Sequence, residues 1–161
     1  MHLTLILAAL LSRPFDFRGS ADDPNVLAAL RNLAIDPAYQ LHDVEVAAFL
    51  VRDADGRISC LLWPGSRETR TASYRGDRPV GVVAMAHTHP SFTPEPSKID
   101  IDETKRVGLP MYVVSTRDIY VIDPSSGESV RLIRQRNWTY PTATRCECRT
   151  EWVNRTQTET R

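Results

Sequence analysis

Cysteine, lysine and long apolar runs are all scarce in this chain. Three cysteines among 161 residues do not make a disulfide scaffold of the kind that holds small secreted domains together. Cys60 lies inside an apolar run and reads as a core residue. Cys146 and Cys148 form a C-x-C near the C-terminus, with no second pair to complete a four-cysteine zinc site, and read as incidental tail residues. Lysine occurs only as Lys98 and Lys105, and all other basic residues are arginine, a bias of composition before it is a sign of function. Neither sign of charge is in excess, because 20 basic residues face 20 acidic ones. No general field therefore steers the protein to nucleic acid or to an acidic membrane.

Several catalytic signatures are absent as well. There is no H-E-x-x-H, no H-x-E with a later P-C-x-x-C, no G-x-S-x-G elbow and no P-loop. These absences exclude the common zinc peptidases, zinc deaminases, serine hydrolases of the elbow type and P-loop phosphotransferases. The length suits one domain and is too short for a TIM barrel. No internal repeat is present.

The longest apolar run of the N-terminal segment, Leu3 to Leu11, matches a signal-peptide core and is too short to span a bilayer. Gly19 and Ala21 supply small residues for cleavage, but no Lys or Arg precedes the run, and Arg13, Asp16 and Arg18 place charges directly after it. Two readings of residues 1–21 stay open, a signal peptide and a buried N-terminal element. Localisation stays open with them, between cytoplasmic and exported. No other segment is expected to cross a membrane.

The chain from 22 to 141 reads as a mixed α/β domain, a central sheet flanked by helices. Val26–Ala34 places apolar residues at helical spacing, with Asn25 as the expected N-cap and Asp36-Pro37 as the stop. Glu45–Arg52 is a strand whose continuously apolar centre predicts cover on both faces. Asp53–Gly56 is a hairpin turn, and Arg57–Trp63 the return strand. Residues 64–79 are expected as a loop. Pro79–Ala86 is a buried central strand that ends in His87-Thr88-His89. A Pro-rich loop leads to a helix at Lys98–Val107, closed by Gly108. Met111–Ser115, Asp118–Ile122 and Ser129–Ile133 are the last strands. Residues 142–161 read as a mobile tail.

The chemistry concentrates at His87, His89, Ser97 and Asp100. Residues i and i+2 of a strand share a face, so the two imidazoles can grip one ion. Asp100 falls in the first turn of the next helix, where the loop can return it to the strand end. Three ligands leave a fourth tetrahedral position open, the layout of a catalytic zinc site. Glu45 can approach that position as a base, with Asp43 and Glu68 as poorer competitors, and Ser97 can donate to a developing oxyanion. Ser97 and Asp100 also form an S-x-x-D capping box, a reading compatible with the first. His42 reads as a surface or loop-packing residue, and Asp102 and Glu103 as solvated. Arg131, Arg134 and Arg136 read as a solvated edge. Trp63, Trp138 and Tyr140 read as packing residues.

Glu45, followed by His87-x-His89-x7-Ser97-x2-Asp100, resembles the signature of the JAMM metallopeptidases, the catalytically competent MPN or JAB domains. The resemblance covers roughly residues 26–135. It implies a single MPN/JAB-like domain, layered like the cytidine-deaminase fold, with a curved mixed sheet. It implies one zinc ion (Zn2+) per chain held by His87, His89 and Asp100. Glu45 would be the acid/base, and Ser97 would steady the tetrahedral intermediate. The implied activity is hydrolysis of a peptide or isopeptide bond in a protein or peptide substrate, at the C-terminus of a ubiquitin-like modifier. Two alternatives stand beside it. One is a metal-free binding or scaffold module of the same fold. The other is an exported peptidase acting on unrelated peptides. Substrate identity and oligomeric state stay open.

Overall fold

The computed structural model describes residues 15–36, 45–64, 74, 76–89, 93–134 and 138–139. The readings of the apolar start, of His42, Asp43, Glu68, Arg136, Tyr140, Cys146 and Cys148, and of the 142–161 tail fall outside these residues.

Helix α1 spans Pro24–Ala34, two residues earlier than the periodicity predicts. Its N-cap is Asp23, not Asn25. The Asp23 carboxylate accepts from the backbone N–H groups of Asn25 (2.8 Å) and Val26 (3.4 Å). Pro24 suits the first helical position, because its fixed φ is already helical and its missing N–H would be unpaired there. Val26, Ala29, Leu30, Leu33 and Ala34 form the buried stripe.

The strands are β1 (Ala47–Arg52), β2 (Ile58–Leu62), β3 (Val82–Thr88), β4 (Met111–Val114), β5 (Ile119–Ile122) and β6 (Ser129–Ile133). They form one six-stranded sheet in the order β2-β1-β3-β4-β5-β6. Only β3 and β4 run parallel, and helix α2 (Lys98–Val107) lies between them in the chain. A parallel pair needs such a crossover, whereas the antiparallel pairs β1–β2, β4–β5 and β5–β6 are each joined by a short turn. The whole is an α/β fold.

Successive residues of β1 enter opposite cores, which explains its unbroken apolar run. Val46, Ala48 and Leu50 pack with α1, Leu62, Ala86, Tyr112 and Val121. Ala47 and Phe49 pack with Trp63, Met85, Val113 and Ile122, against Ile101 and Val107 of α2. The sheet is thus a middle layer with a helix on each face. Trp63 and Trp138 are core residues, as expected, and the Trp138 Nε1–H donates to the Ser115 carbonyl at 3.0 Å.

The central strand begins later and ends later than the apolar run predicts. Gly81 sits at φ +82, and a Cβ there would lie 2.5 Å from the Arg52 carbonyl oxygen. Its own carbonyl accepts from Arg52 N–H at 2.8 Å, beside a register shift in β1. That turn delays the strand to Val82, and pairing then carries it through His87 and Thr88. Arg131 is not a solvated edge residue. It is half-buried, with Nε donating to Asp118 Oδ1 at 3.1 Å and its guanidinium 5.3 Å above the Tyr120 ring. Cys60 is a buried core residue, as expected, and it is disulfide-bonded.

The cap assignment has a measurable consequence. Asp23→Ala should lower stability by about 1 kcal/mol in urea unfolding, and Asn25→Ala by much less. Equal effects of the two would return the cap to Asn25.

Candidate metal centre

The centre sits where β3 ends, at the carboxyl edge of the parallel pair, the usual place for a ligand in a sheet of this kind. His87 stands in a row across the sheet. Ala47 lies opposite it on β1, and Val113 on β4. The same row continues to Tyr120 on β5. His89 lies just past the strand, and its backbone N–H donates to the Val114 carbonyl at 2.8 Å. Both imidazoles therefore hang on the pairing with β4, with ring centroids 4.8 Å apart.

Asp100 arrives from the other layer. Ser97 caps α2 in a complete capping box: its Oγ accepts from Asp100 N–H at 3.3 Å, and its own N–H donates to Asp100 Oδ2 at 2.6 Å. The box turns the carboxylate back toward the strand end. His87 Nε2 is then 3.2 Å from Asp100 Oδ1, and His89 Nε2 is 3.4 Å from Oδ2. The three donor atoms all lie within 4.8 Å of one another. Ligand atoms on a tetrahedral zinc with bonds of about 2.0–2.1 Å stand about 3.3 Å apart. Each His–Asp contact is near that spacing, one to each carboxylate oxygen, and two imidazoles with a carboxylate are donors that fit zinc in chemistry.

The protonation states suit ligation. Burial, then the neighbouring His87, push the His89 imidazole below its ordinary value, toward the neutral form a metal needs. For Asp100 burial works the other way. The contact with His87 and the donors of Ser97 outweigh it and hold the carboxyl below the usual range. The His89 tautomer is also set. Nδ1 lies 3.0 Å from the Glu95 carbonyl, which can only accept, so Nδ1 carries the proton and Nε2 offers its lone pair.

Glu45 lies two residues before β1, half-buried. The antiparallel register of Ala47 with His87 continues outward, because Thr88 N–H donates to the Val46 carbonyl at 3.0 Å. Val46 N–H in turn donates to Thr88 Oγ1 at 2.9 Å. This clamp puts Glu45 opposite His89, close enough for its carboxylate to favour the charged imidazole. Glu45 is outside the three-donor group. Asp102 and Glu103 also stay out of it: Asp102 pairs with Lys98, and Glu103 accepts from Arg106 Nε at 2.7 Å. Three residues that shape the centre carry no motif: Thr88, Glu95 and Tyr120. Only the position of Thr88, between two ligands on a buried strand, is a signal in the sequence.

A family model described as prokaryotic homologs of the JAB domain matches residues 27–133. No curated protein matches the chain significantly. Among the described residues no helix is long and apolar enough to cross a membrane.

The geometry predicts uptake of about one zinc per chain, read by elemental mass spectrometry. Asp100→Ala and His87→Ala should each abolish that uptake, and added zinc should raise the melting temperature of the parent only. Equal zinc in the parent and in Asp100→Ala would place the ion elsewhere.

Proposed function

The chain belongs to the prokaryotic JAB-domain family, and from that premise we propose that it is a zinc-dependent hydrolase of the JAMM type, cutting a peptide or isopeptide bond. The observation that carries the reading is the gathering of His87, His89 and Asp100, with their donor atoms within 4.8 Å of one another. His87, His89 and Asp100 would hold the ion. When bound, zinc supplies Lewis acidity, which acidifies a water and polarises a carbonyl.

The chain's own residues do the rest. Glu45, across the strand pair from His89, receives the proton of the attacking water as its oxygen adds to the carbonyl carbon. It returns that proton to the nitrogen as the C–N bond breaks. Ser97 is exposed beside Asp100, so its hydroxyl can turn to the substrate oxygen as charge develops there.

The substrate we propose is the extended C-terminal tail of a ubiquitin-like modifier. Its balanced charge gives the protein no pull toward nucleic acid. β2 and β6 are the edges of the sheet, and an extended tail can add to such an edge as a further strand. The site then needs only a thin, flexible chain, the form in which a modifier tail presents its terminal amide.

Glu45→Gln separates the roles. It should keep the zinc content of the parent and lose about 100-fold or more in cleavage of modifier fusions, followed by gel shift and mass spectrometry. Cleavage at the parent's rate would remove Glu45 from the mechanism. A parent with bound zinc that cuts no fusion would overturn the substrate proposal and leave the metal centre standing.

A further inference from the structure

His89 reaches the centre from beyond the end of β3, where strand pairing fixes its backbone but not its ring. The ring is steered by the Glu95 carbonyl, 3.0 Å from Nδ1. Glu95 lies in the loop before α2, on an exposed stretch that needs holding. The holding comes from β5, on the same face of the sheet. Tyr120 Oη donates to Glu95 Oε1 at 3.3 Å. Tyr120 is itself fixed: its ring lies under the Arg131 guanidinium, and Arg131 is anchored on the buried Asp118. Arg131 is also near enough to Glu95 to feel its charge. The register explains how β5 can reach so far. Tyr120 pairs with Val113, and Val113 with His87, so the phenol stands in the ligand row, on the side opposite Glu45.

We propose that Glu95 and Tyr120 are positioning residues for the His89 ligand. The Tyr120 hydroxyl holds the Glu95 segment, and the Glu95 carbonyl holds the imidazole in the tautomer and orientation that present Nε2 to the metal. The inference rests on the zinc reading of the centre. Partners of the outer nitrogen of a ligating histidine typically change metal affinity about 10–100-fold. Tyr120 stands one contact further out, and 3.3 Å is long for a hydroxyl on a carboxylate. Its effect is accordingly smaller, about three- to tenfold.

The test uses the full chain and zinc itself. Zinc affinity is read by competition with a chromophoric chelator, and ligand geometry by the absorption bands of the cobalt-substituted protein. Tyr120→Phe keeps the ring under Arg131 and removes only the hydroxyl. It should bind zinc about three- to tenfold more weakly and shift the cobalt bands, with the metal-free melting temperature unchanged. Glu95→Ala should lose at least as much. The double variant should be no weaker than Glu95→Ala, because the two side chains act along one contact. Parent affinity together with a parent cobalt spectrum in Tyr120→Phe overturns the proposal, and so does full additivity in the double variant. A parent chain that takes up no zinc overturns the metal reading and this proposal with it. That failure shows before any substitution is made, so the two are distinguishable.

Discussion

The Asp100 carboxylate joins the two layers that make the centre. One oxygen accepts from the Ser97 N–H and closes the cap of α2, while both oxygens face imidazoles from β3. Burying a carboxylate is costly unless charge-assisted hydrogen bonds replace its water. Here a helix N-terminus meets that need, since its orphan N–H groups and its dipole both favour negative charge. The cap therefore does more than start a helix. It makes a nearly buried carboxylate tolerable at the one place where two histidines also converge. Thr104, one turn on, donates to the Asp100 carbonyl at 2.6 Å and stiffens the same turn.

The rest of the fold serves to bring the strand end to that cap. β3 is central because its neighbours on both sides are needed. β1 supplies Ala47, a side chain small enough to leave room beside His87, and then Glu45 beyond it. β4 pairs with the two ligand residues and carries β5, whose Tyr120 reaches across. A one-residue slip in either pairing would turn His87 into the α1 core. That slip is resisted by burial: Leu50 and Phe49 enter opposite cores, and neither can exchange faces without losing its packing.

Much of this is legible in the residues. The alternation-free runs at 46–51 and 80–86 signal strands covered on both faces, and the spacing from His87 to Asp100 signals one ion site. The readings that miss do so where local pattern yields to something else. Asn25 is a good cap by type, but Pro24 can only sit at a helix start, which moves the cap to Asp23. Gly81 turns the chain and delays β3, although Val80 continues the apolar run and is left exposed. Arg131 reads as solvated because its partners, Asp118 and Tyr120, are brought to it by pairing of β5 with β6, which composition does not encode. Glu95 acts through its carbonyl, an atom that every residue has, so no spacing rule could single it out.

The energetics of the centre bear on the choice between a metal site and a bare scaffold. His87 and Asp100 are nearly buried, and the imidazole of His89 is pushed toward neutrality by its surroundings. Without an ion the cluster is two imidazoles held against one carboxylate, an arrangement that apolar residues of similar volume would commonly match or exceed in stability. A divalent cation changes the balance. Bound there, it would draw on His87, His89 and Asp100 together, and burial already favours the neutral His89 imidazole while His87 and Ser97 favour the ionised Asp100 carboxylate. The three-residue cluster can hold a cation, and the strand pairing and the helix cap around it hold its donors in place.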